Sequence, residues 1–73
     1  RQHKGSLYAR ARVPEYWIIN LVDGLLEVYR DPIADPAAPF GWRYGSISRL
    51  GPRDFVSPLE ARQVRVAVAD LLP

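Results

Sequence analysis

The stretch from Glu15 to Leu21 sets Tyr16, Trp17, Ile18, Ile19 and Leu21 in near-continuous apolar sequence, and it constrains the chain more than any other feature. A run so short, and so rich in aromatic and β-branched residues, fits a strand covered on both faces. Asp23-Gly24 follows, a dipeptide suited to a type I′ turn because both central positions there need positive φ. Leu25 to Arg30 then returns as a second strand. Its alternation sets Leu26 and Val28 on one face and Leu25, Glu27 and Tyr29 on the other. Glu27 is expected to face solvent. An antiparallel hairpin is therefore the expected centre of the fold.

Around this hairpin the chain divides by its breakers. Residues 2 to 12 read as a short helix, with Leu7 and Ala11 four apart on the expected packing face and Tyr8 beside them. Gly5 weakens that helix by about 1 kcal/mol relative to alanine. Pro14 ends it, because the residue before a proline is pushed toward extended geometry. Arg12 sits where a helix C-terminus would prefer a left-handed glycine.

Asp31 to Gly41 carries prolines at 32, 36 and 39 and reads as a surface loop. Trp42 to Leu50 alternates again, with Trp42, Tyr44 and Ser46 on one side and Arg43, Gly45 and Ile47 on the other. Gly51-Pro52 breaks this third strand. Phe55-Val56 and Val64 to Val66 read as short extended pieces, and Ala67 to Leu72 as a docking helical turn. The expected class is α/β (α+β): an N-terminal helix, a three-stranded antiparallel meander and a short C-terminal helix. Only one clear helix is on offer as cover. The second face of the Glu15–Leu21 strand, or its open edge, is expected to need a partner chain or an upstream segment.

Seventy-three residues make one small domain, 1–73, which hides only about 60% of its unfolded surface. The chain has no cysteine, which excludes disulfides, thiolate metal sites and cysteine-based catalysis. It also has no methionine and opens Arg1-Gln2-His3-Lys4, so it is expected to be a fragment, a processed product or a partially ordered longer chain. Net charge is +2 with a pI near 9.4, carried by nine arginines and the single Lys4. Scattered as they are, these cations permit contact with nucleic acid without demanding it. No apolar run approaches the ~20 residues that span a bilayer, and no signal-peptide pattern is visible. A soluble, cytoplasmic protein is expected.

Chemistry is sparse. The one histidine, His3, leaves no histidine metal cluster and no serine–histidine–carboxylate triad. No glycine-rich phosphate loop occurs. Asp31, Asp35 and Asp54 fall in turns that explain them, and nothing brings carboxylates together around ions about 3.5–4 Å apart. Lys4 and Tyr8 stand out because they lie one helical turn apart on one face. A lysine ammonium there can hold a phosphate oxygen or position an attacking water. Alone, each also reads blandly: Lys4 as a solvated helix-start lysine, Tyr8 as a residue at the edge of the core. The Tyr16-Trp17 pair reads as core packing before it reads as a base-stacking platform.

The arginine three residues before Lys4, then Tyr8, then Val13-Pro14-Glu15-Tyr16-Trp17, form a pattern that resembles the Uma-two family of restriction-endonuclease-like proteins. Leu26-Glu27-Val28-Tyr29-Arg30 is similar to that family's second strand. Ser57-Pro58-Leu59 with Val64 to Leu72 is similar to its closing segment. The resemblance covers essentially all 73 residues, but only the C-terminal portion of a family member. It implies part of a PD-(D/E)XK nuclease core that hydrolyses phosphodiester bonds in DNA with Mg2+. The metal ligands it implies, an aspartate and a glutamate on strands before the helix, match no residue here. The lysine that usually accompanies them corresponds to Lys4, which would stabilise charge on the attacked phosphate with Tyr8 in support. Arg12 departs from the family's glycine. On this resemblance the chain alone is inactive and needs its missing N-terminal half. The alternative is a non-catalytic remnant or interaction module that pairs through its exposed sheet edge, with a homodimer as one outcome.

Overall fold

The computed structural model describes residues 2–73. Helix α1 (Gln2–Arg10) is closed by a left-handed residue, Arg12 at φ 60°. The Val13 amide donates to the Tyr8 carbonyl at 3.1 Å and the Arg12 amide to the Ala9 carbonyl at 2.9 Å. These two bonds make a Schellman ending, the geometry in which the sequence led us to expect glycine. Pro14 then delivers the chain into β1 (Glu15–Asn20), β2 (Leu25–Ala34) and β3 (Trp42–Leu50), an antiparallel meander in the order β1-β2-β3. The expected mixed α/β architecture is thus present. A small ladder of β4 (Phe55–Val56) with β5 (Val66–Ala67) and a closing 3-10 turn (Val68–Asp70) complete it.

Two cores lie on opposite faces of the meander. On one, Leu26 and Val28 of β2 pack with Val56 and Val68, joined by Trp17, Leu50, Val66, Leu71 and Leu72. On the other, Tyr29 and Tyr44 pack against Ala9 of α1, joined by Tyr16, Ile18 and Trp42. The sheet's second face is therefore covered by this chain's own C-terminal segment, which corrects the expectation that this face needs a partner chain or an upstream segment; the open edge of β1 has no such cover among the described residues. Full burial of Val68 alone contributes about 1.5–3 kcal/mol, so the segment is firmly held.

The strand covered on both faces is β2, not β1. Among the described residues β1 has β2 on one side only, is half-buried along most of its length, and leaves its outer edge unpaired. Ile19, Leu21 and Val22, at 45%, 66% and 95% exposure, carry its apolar character into solvent. The turn also differs. Asn20 pairs with Leu25, leaving a four-residue connection in which Gly24 alone takes positive φ, and Asn20 Oδ1 accepts the Asp23 amide at 3.1 Å.

Three further placements differ from expectation, each for its own reason. The helix buries Gly5, Ser6 and Ala9 and turns Leu7 and Ala11 outward, because it packs closely on the tyrosines and only small side chains fit there. A Cβ at Gly5 would stand 2.6 Å from the Tyr16 hydroxyl. Glu27 is buried at 2% exposure instead of facing solvent. Its carboxylate accepts from the Tyr29 hydroxyl at 2.8 Å and from Asn20 Nδ2 at 3.3 Å, partners that make such burial tolerable. Ile47, expected opposite Trp42 and Tyr44, lines the same hollow as they do. The alternation of β3 breaks at Gly45, which lies against Asp31 at φ 65°.

The proline segment also begins later than expected, since β2 continues through Asp31 and Pro32 to Ala34. β1 pairs only as far as Glu15 opposite Arg30, so beyond that point β2 has one neighbour. A proline without an amide donor is tolerated at such a local edge.

Candidate functional site at the open edge of the sheet

α1 sets Lys4 and Tyr8 on one of its flanks, one turn apart, because its buried stripe of Gly5, Ser6 and Ala9 turns that flank toward β1. Lys4 and Tyr8 line an open hollow of about 360 Å³ with Tyr16, Trp17 and Ile18. The structure thus brings together the two residues singled out from the sequence, beside the unpaired edge of β1. Tyr8 is fixed there by an edge-on contact with Tyr16, ring centroids 5.3 Å apart. Tyr16 in turn stacks on Tyr29 at 4.5 Å and lies 5.1 Å from Tyr44. All four tyrosines of the chain form this connected layer, so Tyr8 serves both as packing edge and as lining.

Among the described residues the hollow offers a cation, phenols and an indole, but no carboxylate. Among the described residues no group of three or more His, Asp or Glu could hold a metal ion. The residues around Lys4 therefore do not fit Mg2+, and this chain's own part is confined to what a lysine and a tyrosine can do. A lysine in such a place donates to, and neutralises, a phosphate oxygen.

Several other polar groups hold the fold together. Ser6 donates to the Trp42 carbonyl at 2.6 Å and accepts from the Phe40 amide at 2.9 Å, riveting α1 to the start of β3. Beside it a second hollow of about 460 Å³ opens between α1, the segment 35–39 and β3. Tyr44 donates to the Val13 carbonyl at 2.6 Å. Burial first, and the charge of Tyr16 second, push its phenol above the ordinary 10.0 and keep it protonated. Glu15 behaves oppositely. Burial raises its carboxyl, but the Leu59 amide, the Trp17 indole and the Arg30 guanidinium together outweigh that and hold it below the ordinary 4.5. The buried Trp17 indole N–H acts there by proximity, since it completes no hydrogen bond among the described residues.

Sequence reasoning missed the arginine–aromatic contacts, among them a grouping at the end of α1. Arg10 lies over the Phe40 ring at 5.0 Å, and Arg12 lies over the Trp42 ring at 5.5 Å. No local spacing signals it, because the partners are thirty residues apart. Among the described residues no helix is long and apolar enough to cross a membrane. No family model, curated protein or solved structure matches the chain.

Proposed function

We propose that this chain is the C-terminal part of an Uma-two-like, magnesium-dependent DNA endonuclease of the PD-(D/E)XK type, working in the cytoplasm. The carrying observation is that Lys4 and Tyr8 line one hollow beside the unpaired edge of β1. Upstream strands that bear the metal-binding carboxylates would pair with that edge and meet the lysine there. Lys4 neutralises charge on the attacked phosphate, and Tyr8, braced by Tyr16, keeps the lysine's flank of the hollow in shape. The metal is held by groups outside this chain.

The coding sequence upstream of Arg1 tests this directly. An open frame encoding a proline-aspartate strand and a glutamate-valine strand supports the proposal, and a stop codon with a start site near Arg1 removes it. The complete protein should nick plasmid DNA with Mg2+, and Lys4→Ala should slow nicking about 100-fold or more. Unchanged nicking by that variant would dismiss Lys4.

A second reading has an observation of its own. The open edge of β1, with Ile19, Leu21 and Val22 exposed at its end, suits strand pairing with another copy. In that case the chain is a non-catalytic pairing module. Sedimentation of the 73-residue chain separates the two: a dimer that dissociates on Ile19→Lys favours pairing, and a folded monomer removes it.

A further inference from the structure

We infer that the flank of α1 opposite Lys4, formed by Arg10 and Arg12 with Phe40 and Trp42, binds a single-stranded nucleic acid through its phosphates and bases. The inference holds whether or not the chain belongs to a nuclease, because it uses neither Lys4 nor a metal.

Arg10 is the last residue of α1 and Arg12 the left-handed residue that closes it, while Phe40 and Trp42 stand two apart where β3 begins. The Ser6 bonds to Phe40 and Trp42 lock these two edges together. Each guanidinium lies over one ring, Arg10 on Phe40 at 5.0 Å and Arg12 on Trp42 at 5.5 Å. His3 meets the Phe40 ring edge-on at 6.4 Å. Among the described residues neither arginine pairs with a carboxylate. The nearby Asp35 is already engaged by Arg43 at 2.9 Å, so it does not neutralise the patch.

A ring beneath a guanidinium fixes its plane before any ligand arrives, and that reduces the entropy lost on binding. What remains open are the guanidinium N–H donors and its outer plane. Donors of this kind suit phosphate, and the outer plane suits an unstacked base. A row of cations interleaved with aromatic rings is the arrangement that holds single strands with little sequence preference. Duplex DNA keeps its bases stacked and would use the charges alone.

The test is fluorescence anisotropy of the full 73-residue chain with a labelled oligothymidylate of about 12 nucleotides, in EDTA, across a salt series. Binding is expected to weaken with salt and to be tighter than to a duplex of the same length. Arg10→Gln with Arg12→Gln should flatten the log–log salt slope by about 1.4, roughly 0.7 for each lost phosphate contact. Phe40→Ala should weaken binding about tenfold. Arginine modification by phenylglyoxal, mapped by mass spectrometry on the unmutated chain, should be slowed by the oligonucleotide at Arg10 and Arg12. No protection there overturns the proposal, as does a double variant that folds and binds unchanged. A polyglutamate peptide that competes as well as the oligonucleotide also overturns it, since the patch is then a general anion surface.

Discussion

Glu15 and Arg30 face one another across the β1–β2 ladder, and the pair fastens the C-terminal segment to the sheet. Arg30 Nε donates to Glu15 Oε2 at 2.6 Å, and its Nη2 donates to the Ser57 carbonyl at 2.6 Å. Glu15 Oε1 accepts the Leu59 amide at 3.0 Å. One ion pair thus holds two points of the segment that covers the Leu26–Val28 face. With the Glu15 side chain 14% exposed and Arg30 29% exposed, the pair is sheltered enough to matter.

Arg30→Ala should therefore destabilise the chain by about 2–3 kcal/mol, because it strands the sheltered Glu15 carboxylate and frees the Ser57 carbonyl. Urea unfolding of the two chains measures the difference. A loss under about 0.5 kcal/mol would mean that apolar packing alone holds the segment.

The same carboxylate sets a pH dependence. Its pKa is lowered by folding, so its contribution is fully present above the ordinary 4.5 and is lost as pH falls through the lower folded value. Glu15→Gln should be less stable than the unmutated chain at pH 7, with the gap closing below pH 4.5. Thermal unfolding at pH 7 and pH 3 checks the sign; a gap that widens in acid would contradict it.

Gly5→Ala pits two effects against each other. Alanine improves the helix by about 1 kcal/mol, yet its Cβ would stand 2.6 Å from the hydroxyl of a Tyr16 ring stacked on Tyr29. That ring has little room to retreat, so overpacking should win and the variant should lose about 1–2 kcal/mol net. The cause is isolated by a cycle with Tyr16→Phe, which removes the obstructing oxygen. The two changes together should cost less than their sum by about 1 kcal/mol. Additive losses would mean that the helix simply shifts.

How much of this was legible in the sequence depends on the range of the interaction. That a hairpin and a third strand exist, and that the helix closes before Pro14 with Arg12 in the left-handed position, follows from apolar runs, turn residues and Pro14, all of them local. The Lys4–Tyr8 pairing was visible for the same reason, being one turn of helix. What the residues could not announce was cover from far along the chain. Val56 and Val68 enclose Leu26, and Phe40 and Trp42 lie beneath Arg10 and Arg12, across separations that no periodicity encodes. Glu27 misled for a related reason. A glutamate in a strand usually reads as solvent-facing, and only Tyr29 and Asn20 in three dimensions make it a buried one.

Arg12 joins the two levels, since its backbone closes α1 at φ 60° while its guanidinium lies on Trp42. A comparison of Arg12→Gly with Arg12→Ala separates these roles. Both remove the guanidinium, but only glycine relieves the left-handed strain of about 1–2 kcal/mol. Glycine's greater freedom in the unfolded chain offsets part of that gain. The glycine variant should therefore unfold about 1 kcal/mol later than the alanine variant in denaturant titration, while the two lose oligonucleotide affinity equally. Equal stabilities would show that the strain is relieved by a local shift of the helix end. Affinity that tracks stability, instead of the loss of the guanidinium, would remove Arg12 from the binding surface.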